Sequence, residues 1–470
     1  TGDLDITDDL TIDGTLSDTT VIDAAALDRV LHVVAGSASI SDVTIRGGQL
    51  VAYGGGIRND GILAITRSLV SQNRAAVAGG GIWNSGDLRL TASRISSNSA
   101  LSEADFAFGG GIWSSGTVTL SESIILQNRT YGDSGSQGGG IHSSGILAMS
   151  GSLVHDNSTS STYGASAGGG VLNTGRMTMT RSSVADNTSG GYASGSAAGI
   201  RNSGILVIAE STIRGNVANA THRGPSPGGG VRNSGVLSIT HSTISHNRTA
   251  TSGGGIANTQ EPETPQAILS VINSTISSNE ASHGAGIYND GSATVWHTTL
   301  SANSADGTWR SPRDAHYGGG IFNGGQVTLG FTLVAGNSGG TAPDCSGPVV
   351  SGGYNLIQRA SGCSLEGNTT GNVTGKNPLL GPLSNNGGAT ETHALLESSP
   401  AIDAGSPGPC TSGGGHVIAE DQRGAPRPLD GDGDGTVACD IGAYEANGAE
   451  PAPTPIPVRP YLYLPLLRRH

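Results

Sequence analysis

The apolar residues of this chain form short stretches that alternate with polar positions and recur at a nearly constant spacing. In the unit that begins at Gly228, these stretches cover residues 230–233, 236–239 and 242–247, with Ser-Gly and Thr-His between them. Alternation over a few residues is typical of β-strands with one buried face. Three such strands per unit predict an all-β chain folded as a three-sided, right-handed parallel β-helix.

Each unit opens with three small residues, usually Gly-Gly-Gly, followed by Ile or Val. Successive units lie 25 to 34 residues apart, and self-similarity at such a period indicates a solenoid. We expect the glycines to provide positive φ at a corner or close approach of neighbouring coils. The third small residue of the ten units lies at Gly56, Gly81, Gly111, Gly140, Gly170, Gly199, Gly230, Gly255, Gly286 and Gly320.

Each unit also closes with an Asn at an equivalent position. Stacked amides at one corner can hydrogen-bond from coil to coil at the ~4.8 Å strand spacing, so we predict an Asn ladder. Insertions follow this Asn, and we expect them to line one edge as loops. The ladder residues are Asn73, Asn98, Asn128, Asn157, Asn187, Asn216, Asn247, Asn279, Asn303 and Asn337.

The motif divides the chain into five parts. Residues 1–48 lack it and are predicted to form an N-terminal cap and the first coils, and residues 49–340 contain the ten repeats. Residues 341–446 abandon the repeat and are predicted to form a C-terminal capping domain. Residues 447–460 form a Pro-rich linker and residues 461–470 an apolar tail strand.

Charge and composition exclude two classes of partner. The net charge of −13 comes from the two ends, because residues 1–29 contain eight Asp against one Arg and residues 395–450 contain ten acids against two Arg. The body between them is nearly neutral and has no basic stripe, so we expect no nucleic-acid partner. No run approaches the ~20 apolar residues that cross a bilayer, so we expect no membrane span.

The four cysteines all lie in the C-terminal quarter, at Cys345, Cys363, Cys410 and Cys439. Their even number and the absence of CxxC favour two disulfides, most simply between sequence neighbours, although three pairings are possible. Disulfides imply an oxidising compartment. A chain that begins at Thr1 also fits a processed secreted protein, so we expect an extracellular or cell-surface location.

The motifs of the whole chain resemble a known family. The GGGI-x-N units resemble those of bacterial right-handed parallel β-helix repeat proteins, and the C-terminal quarter is similar to the choice-of-anchor Q domain. The resemblance implies a secreted or surface-attached protein and assigns no biochemical activity. Its C-terminal motifs are GGYNL at 352–356, NPLL at 377–380, NGG at 386–388, THAL at 392–395, SPAIDAG at 399–405, DQRG at 421–424 and DIGAYE at 440–445.

An acidic loop is the candidate metal site. Asp430, Asp432 and Asp434 occupy the first, third and fifth positions before Gly435, as in the first half of an EF-hand-type calcium loop. The twelfth position lacks the expected Glu, so Asp440 is the nearest candidate for a further ligand. We predict a structural calcium ion here; the alternative is a solvated acidic turn.

Other acidic residues do not favour catalysis. Asp156 and Asp186 precede ladder Asn residues of successive coils, at roughly the ~5 Å separation of a retaining glycosidase pair. Neighbouring columns supply no acid or base partner, so we expect incidental surface acids and no enzyme. The cap contains Asp403, Asp421, Arg423, Arg427 and Glu445, which we expect to form buried charge-assisted hydrogen bonds.

Two features are candidates for binding. The outward position after the repeat Ile includes Trp83, Trp113, Tyr288 and Phe322, which would bind sugar rings or pack under the inserted loops. The tail would add a strand to a neighbouring copy or dock on its own chain. Its apolar residues are Tyr461, Leu462, Tyr463, Leu464, Leu466 and Leu467.

These features favour a non-enzymatic structural or adhesive rod that assembles into filaments through its tail strand. Its partners would be further copies of the chain or cell-surface components. The alternative is an extracellular protein that binds or cleaves polysaccharide along one face of the β-helix.

Overall fold

The chain folds as an all-β parallel β-helix. Every regular element is a β-strand, and among the described residues no helix is long and apolar enough to cross a membrane. The computed structural model describes residues 2–49, 51–103, 105–192, 194–220, 226–261, 265–306 and 317–448.

The first strand of each coil follows the glycine triplet and pairs in parallel with the same strand of the next coil, which builds sheet A. The strands of residues 4–46 continue the same columns in register, so the N-terminal segment consists of ordinary coils. Sheet A contains Leu4–Ile6, Leu31–Val33, Ile57–Asn59, Ile82–Asn84, Ile112–Ser114, Ile141–Ser143, Val171–Asn173, Ile200–Asn202, Val231–Asn233, Ile256–Asn258, Ile287–Asn289 and Ile321–Asn323.

The second strand of each coil builds sheet B, which Cys345–Gly352 joins to sheet A at the C-terminal end. Most of its strands have five residues, and in the middle coils these alternate between the core and the outer face. Sheet B contains Leu10–Asp13, Ser37–Ser41, Ile62–Thr66, Asp87–Thr91, Thr117–Ser121, Ile146–Ser150, Arg176–Thr180, Ile205–Ala209, Val236–Thr240, Ile268–Ile272, Ser292–Trp296, Gln326–Gly330 and Cys363–Asn368.

The third strand of each coil builds sheet C, which completes the three predicted faces. In the repeats, one residue with a left-handed backbone separates the end of this strand from the ladder Asn. Sheet C contains Val21–Asp23, Thr44–Arg46, Leu69–Ser71, Arg94–Ser96, Ile124–Leu126, Leu153–His155, Ser183–Ala185, Thr212–Arg214, Thr243–Ser245, Thr275–Ser277, Thr299–Ser301, Leu333–Ala335, Leu356–Ile357 and Val373–Thr374.

The insertions after the ladder Asn are more ordered than the loops that the sequence predicted. They pair with each other and form a further parallel sheet, sheet D, along one edge. Pairing satisfies backbone groups that a loop would leave to water. Sheet D contains Val51–Tyr53, Arg74–Ala78, Ser99–Ser102, Phe106–Phe108, Arg129–Gly132, Gly135–Gln137, Ser158–Ser161, Ala165–Ala167, Thr188–Gly191, Ser194–Ser196, Val217–Ala220 and Arg248–Thr249.

A narrow core of branched aliphatic side chains runs through the solenoid. In one coil, Ile82, Leu88, Leu90 and Ile95 are completely buried, and equivalent residues repeat in the other coils. Because each coil contributes only a few inward side chains, no coil buries its own apolar surface without its neighbours.

The predicted Asn ladder is present and buried. From Asn73 to Asn337, the side-chain amide of each ladder Asn donates to the amide oxygen of the next, at 2.8 to 3.0 Å. The ladder ends where Asn337 donates to the buried carboxylate of Asp344. The left-handed backbone lies on the preceding residue, for example Ser97 with φ of 57°.

The other two corners also carry polar ladders, which the sequence analysis did not predict. At the end of the sheet A strands, Asn173 donates to Asn202, and the chain of amides continues to Asn323 at 2.7 to 2.8 Å. At the corner after sheet B, each backbone N–H of a serine donates to the next serine hydroxyl at 3.1 to 3.2 Å. These serines are Ser68, Ser93, Ser123, Ser152, Ser182, Ser211, Ser242 and Ser274.

The glycine triplet serves both purposes proposed for it. Gly79 has a φ of 64°, whereas a Cβ on Gly80 would lie 2.4 Å from the carbonyl oxygen of Gly110 and one on Gly81 would lie 2.7 Å from that of Gly111. Backbone conformation therefore selects the first glycine, and close approach of the next coil selects the other two.

The predicted capping domain has two parts. Strands up to Thr374 continue the coils, after which residues 375–448 turn back and pack on the outer face of sheet C. We call residues 375–448 the C-terminal lobe. Its Gln422 accepts from Thr275 at 2.6 Å, and its Ala443 N–H donates to Thr299 at 3.0 Å. The buried outer positions in this stretch are Thr243, Ser245, Thr275, Ser277, Thr299, Ser301, Leu333 and Ala335.

One regular hairpin and two disulfides hold the C-terminal quarter together. Each disulfide joins cysteines that are neighbours in the sequence order of the four. Leu380–Ser384 pairs antiparallel with Thr392–Leu395. Cys345 is bonded to Cys363 and Cys410 to Cys439, with Cα separations of 5.5 and 5.8 Å. The first disulfide links adjacent strands of the last coils, and the second packs with Trp296 of the solenoid.

A buried ionic cluster holds the lobe together. The sequence analysis predicted buried charge-assisted hydrogen bonds for Asp421, Arg423, Arg427 and Glu445, but did not include Asp440. Asp421 pairs with Arg423 at 2.7 Å and Glu445 with Arg427 at 3.1 Å. Asp440 is completely buried and accepts from the backbone N–H of its neighbours. Three buried carboxylates thus face two guanidiniums, so the cluster contains more acid than base.

Two carboxyls of the cluster have raised pKa values. Burial raises the pKa of Asp440 to about 8, with a smaller contribution from the nearby charge of Glu445. Burial also raises the pKa of Glu445 to about 7. These carboxyls therefore bind protons more tightly in the folded chain than in the unfolded one.

We expect Asn187→Ala to lower the free energy of unfolding by about 2–4 kcal/mol, because it leaves buried N–H groups of Asn157 without their acceptor. Urea denaturation followed by circular dichroism measures this. The matched control is Thr188→Ala at the adjacent exposed position, which should change stability by no more than about 0.5 kcal/mol. Equal effects of the two substitutions would contradict a stabilising ladder.

A second prediction concerns pH. Because the folded-state pKa values of Asp440 and Glu445 are raised, their contribution to stability is full in acid and is lost as the pH rises from about 4 to about 8. Across this interval the melting temperature of the wild type should fall by roughly 2–4 °C relative to Asp440→Asn. Differential scanning fluorimetry at constant ionic strength measures the difference. Asp434→Asn, at an exposed position, is the control and should keep the wild-type slope.

Candidate functional site

The outward column of sheet A carries the most concentrated set of aromatic side chains. Register pairing places Arg58, Trp83, Trp113 and His142 directly over one another in four successive coils. Each lies between an inward Ile and a corner residue, so each side chain points away from the core. The parallel register therefore converts residues about thirty positions apart into neighbours.

These side chains stack along the solenoid axis. The ring centroids of Trp83 and Trp113 are 5.1 Å apart with planes 9° from parallel. The Arg58 guanidinium lies 4.8 Å from the centroid of Trp83 on one side, and His142 lies 6.3 Å from Trp113 on the other. The two indoles thus cover each other's faces and offer mainly their edges to a ligand.

Sheet D supplies the rest of the site. Tyr53 lies 6.2 Å from Trp83, and Phe108 meets His142 edge-on at 5.3 Å. Between them in the same column lies the buried Ala78, which pairs in register with both. The result is a cleft of about 480 Å³, which we call the aromatic cleft. Its lining residues are Tyr53, Val77, Ala78, Trp83, Phe108, Trp113 and His142.

His142 is the polar group of the aromatic cleft. Only 9% of it is exposed, and its Nδ1 has no hydrogen-bond partner among the described residues. Burial lowers the pKa of His142 to about 4, so the imidazole is neutral at physiological pH. The cleft wall thus carries no formal charge from this residue.

The sequence analysis identified Trp83 and Trp113, but not the residues of sheet D that face them. Tyr53, Ala78 and Phe108 directly precede glycine triplets, and aligning that position across the repeats would have placed them in one column. The cleft itself could not be found in this way, because it depends on how sheet D packs beside sheet A.

The remaining predicted aromatics form a separate stack farther along the same column. Tyr288 and Phe322 are 5.2 Å apart with nearly parallel planes, and His283 meets Phe322 edge-on at 5.8 Å. Burial, together with a hydrogen bond to Asp290, raises the pKa of Tyr288. This pair offers a matched comparison for Trp83 and Trp113.

The acids considered for catalysis are explained by the backbone. Asp156 and Asp186 are exposed and both have a φ of 54°, which marks the left-handed corner before the ladder Asn. Asp156 contacts the neighbouring His155 at 3.0 Å. Asp tolerates this conformation better than most residues, which accounts for its presence at the corner.

The acidic loop of the lobe groups different carboxylates from those predicted. Oxygens of Asp403, Asp430 and Asp432 lie within 4.8 Å of one another, whereas the described structure does not bring Asp434 or Asp440 into this group. Asp440 is occupied by backbone N–H groups inside the lobe. Calcium binding by Asp430, Asp432, Asp434 and Asp440 stays a prediction from the sequence, and the structure brings Asp403, which that prediction did not include, beside Asp430 and Asp432.

The predicted tail strand from Tyr461 to Leu467 and the linker from residue 449 onward lie outside the described residues. The two disulfides fit a protein that folds outside the cytoplasm. No protein-family model matches the chain, and comparisons with curated proteins and with solved structures also find no match. The function must therefore be argued from the site.

Proposed function

We propose that this protein is an extracellular or cell-surface adhesion rod that binds carbohydrate in its aromatic cleft. The observation that carries the proposal is the cleft itself, which Tyr53, Phe108 and the Trp83–Trp113 stack line. Aromatic rings with few charges suit the apolar faces of sugar rings. On the strength of its C-terminal motifs, we also propose that the chain is surface-attached and contains a choice-of-anchor Q domain.

The exposed aromatic surface favours binding of a sugar ring over binding of a charged group. Tyr53 is 43% exposed and Phe106, which stacks on Phe108 at 6.1 Å, is 39% exposed. Contiguous apolar patches mark binding sites more often than scattered exposed residues do, and these aromatic side chains are neighbours. The rigid sheets hold them without a further ordering cost on binding.

Assembly into filaments is a second candidate function. The last strand of sheet B, Cys363–Asn368, is largely exposed, and within the described part of the chain no strand pairs with its outer edge. An open edge accepts an extended segment by β-augmentation. The apolar tail of a second copy has the alternating pattern that such an edge requires.

The carbohydrate proposal predicts that Trp113→Ala weakens binding of a polysaccharide by about tenfold or more, because it removes one wall of the cleft. Affinity electrophoresis against a panel of neutral and acidic polysaccharides measures retardation of each variant. The matched control is Phe322→Ala, which removes an aromatic side chain from the same column away from the cleft. A wild-type protein that no polysaccharide retards would overturn the proposal.

The filament proposal predicts that removing residues 449–470 abolishes assembly while the coils remain folded. Negative-stain electron microscopy counts rods joined end to end, and circular dichroism checks the β content. Filaments that persist unchanged after the truncation would rule out the tail as the joining strand.

A further inference from the structure

Three side chains of types that bind metals meet at the N-terminal end of sheet A. Asp5 pairs in register with His32 of the next coil, and Asp3 lies two residues before Asp5, on the same face of the strand. One ligand atom from each of the three residues lies within 4.8 Å of the other two. The parallel register thus gathers two carboxylates and an imidazole from two coils.

His32 is held in one orientation from behind. Its Nε2 lies 2.9 Å from Oδ2 of Asp60. Asp60 also accepts from Arg58 at 2.8 Å and from the hydroxyl of Ser85 at 2.6 Å. A carboxylate paired with a guanidinium has no proton to donate, so Nε2 of His32 is the donor. Metal-binding histidines almost always donate their other ring N–H to such an outer partner.

The second ring nitrogen of His32 faces a further acceptor. Its Nδ1 lies 3.1 Å from Oδ1 of Asp5. In a neutral imidazole that donates through Nε2, Nδ1 has a lone pair, as the carboxylate oxygen does. Two acceptors at this distance need a proton or a cation between them. A proton bridges two atoms, whereas Asp3 brings a third ligand atom, which a metal ion uses.

Asp3 is also positioned from behind. Its Oδ2 accepts from Arg29 at 2.5 Å, and Arg29 is itself fixed by the backbone carbonyls of Tyr53 and Gly54, each at 3.1 Å. A carboxylate has two oxygens, so this contact is compatible with metal binding by Asp3. Asp5 has 60% of its side chain exposed and can adjust its position. Two of the three ligands are therefore preorganised, and the third is adaptable.

The donor set selects the kind of metal. Zn²⁺ binds imidazole nitrogen and carboxylate oxygen at distances that place tetrahedral ligands about 3.4 Å apart, close to the separation between His32 and Asp5. Ca²⁺ prefers six to eight oxygen ligands. The charge is also favourable, because three carboxylates face two guanidiniums here. These groups are Asp3, Asp5, Asp60, Arg29 and Arg58.

We propose that Asp3, Asp5 and His32 bind a divalent transition-metal ion, for which Zn²⁺ is the best match, with water as the fourth ligand. The ion joins the first coil to the second. Among the described residues, the strand Leu4–Ile6 pairs only with Leu31–Val33, and a strand with one neighbour opens more readily than one between two. The metal therefore stabilises the first coil, and this role does not depend on carbohydrate binding.

Isothermal titration calorimetry of the whole chain with ZnCl₂, after treatment with EDTA, tests the site. We expect Zn²⁺ to bind with a Kd below about 10 µM, weaker than closed four-ligand sites because one position is left to water. Ca²⁺ and Mg²⁺ at the same concentration should not displace it.

Variants assign the binding to these residues. His32→Gln and Asp5→Asn should each weaken Zn²⁺ binding by about tenfold or more, because each removes one of three protein ligands. The matched controls are His246→Gln, at an exposed histidine far from the site, and Asp18→Asn, at an exposed carboxylate of the same acidic segment. Neither control should change the affinity.

Hydrogen exchange measures the effect on the first coil. At a Zn²⁺ concentration ten times the Kd, amide exchange in residues 4–6 should slow by about tenfold, because the open form of this strand loses the metal. Exchange in Val171–Asn173, in the middle of the solenoid, should not change. His32→Gln should remove the effect on residues 4–6.

Three outcomes would overturn the proposal. The first is a wild-type chain that binds no Zn²⁺ at roughly 0.1 mM, which would leave a proton between His32 and Asp5. The second is binding that His32→Gln and Asp5→Asn do not weaken, which would place the ion elsewhere. The third is unchanged exchange in residues 4–6 when Zn²⁺ is bound. Circular dichroism of each variant confirms that a lost affinity does not reflect unfolding.

Discussion

The solenoid depends on hydrogen bonding between buried polar groups at its corners. Strand pairing satisfies the backbone along each face, but a corner interrupts the pairing and buries polar groups that water does not reach. The Asn and Ser ladders supply the missing partners from the next coil. Each ladder amide uses both its donor and its acceptor on neighbouring coils, so a slip in register would leave an entire corner unsatisfied.

This fixed register makes the outward columns available for variation. Because the ladders and the aliphatic core hold each coil, the residue between the Ile and the corner is free to be Arg, Trp, His or Leu. Identical side chains then meet as stacks, as Trp83 and Trp113 do. Small residues alternate with large ones in the neighbouring column of sheet D, as Ala78 does between Tyr53 and Phe108.

The C-terminal lobe uses the same principle on another face. Where it covers sheet C, the outward residues become Thr and Ser, which hydrogen-bond to lobe residues such as Gln422 and His393. The lobe buries three carboxylates and two guanidiniums. Burial raises the pKa values of Asp440 and Glu445, which favours their protonated forms. Apolar contacts, exemplified by Leu333 against Ile441, complete the attachment.

The sequence by itself determined the coil. The period, the alternating apolar stretches and the recurrent Asn are local patterns, and parallel stacking of identical units follows from them directly. The cysteines that are neighbours in the sequence also form the two disulfides. These features could be predicted because each depends on residues that repeat in register or lie close along the chain.

Tertiary structure alone decided where different columns meet. The aromatic cleft requires sheet D beside sheet A, and the sequence presented its insertions as loops without a strand pattern. The lobe's position on sheet C and the approach of Asp403 to Asp430 and Asp432 depend on chain reversals far from any repeat. Such contacts join residues that share no periodicity, so their distances emerge only when the whole chain is folded.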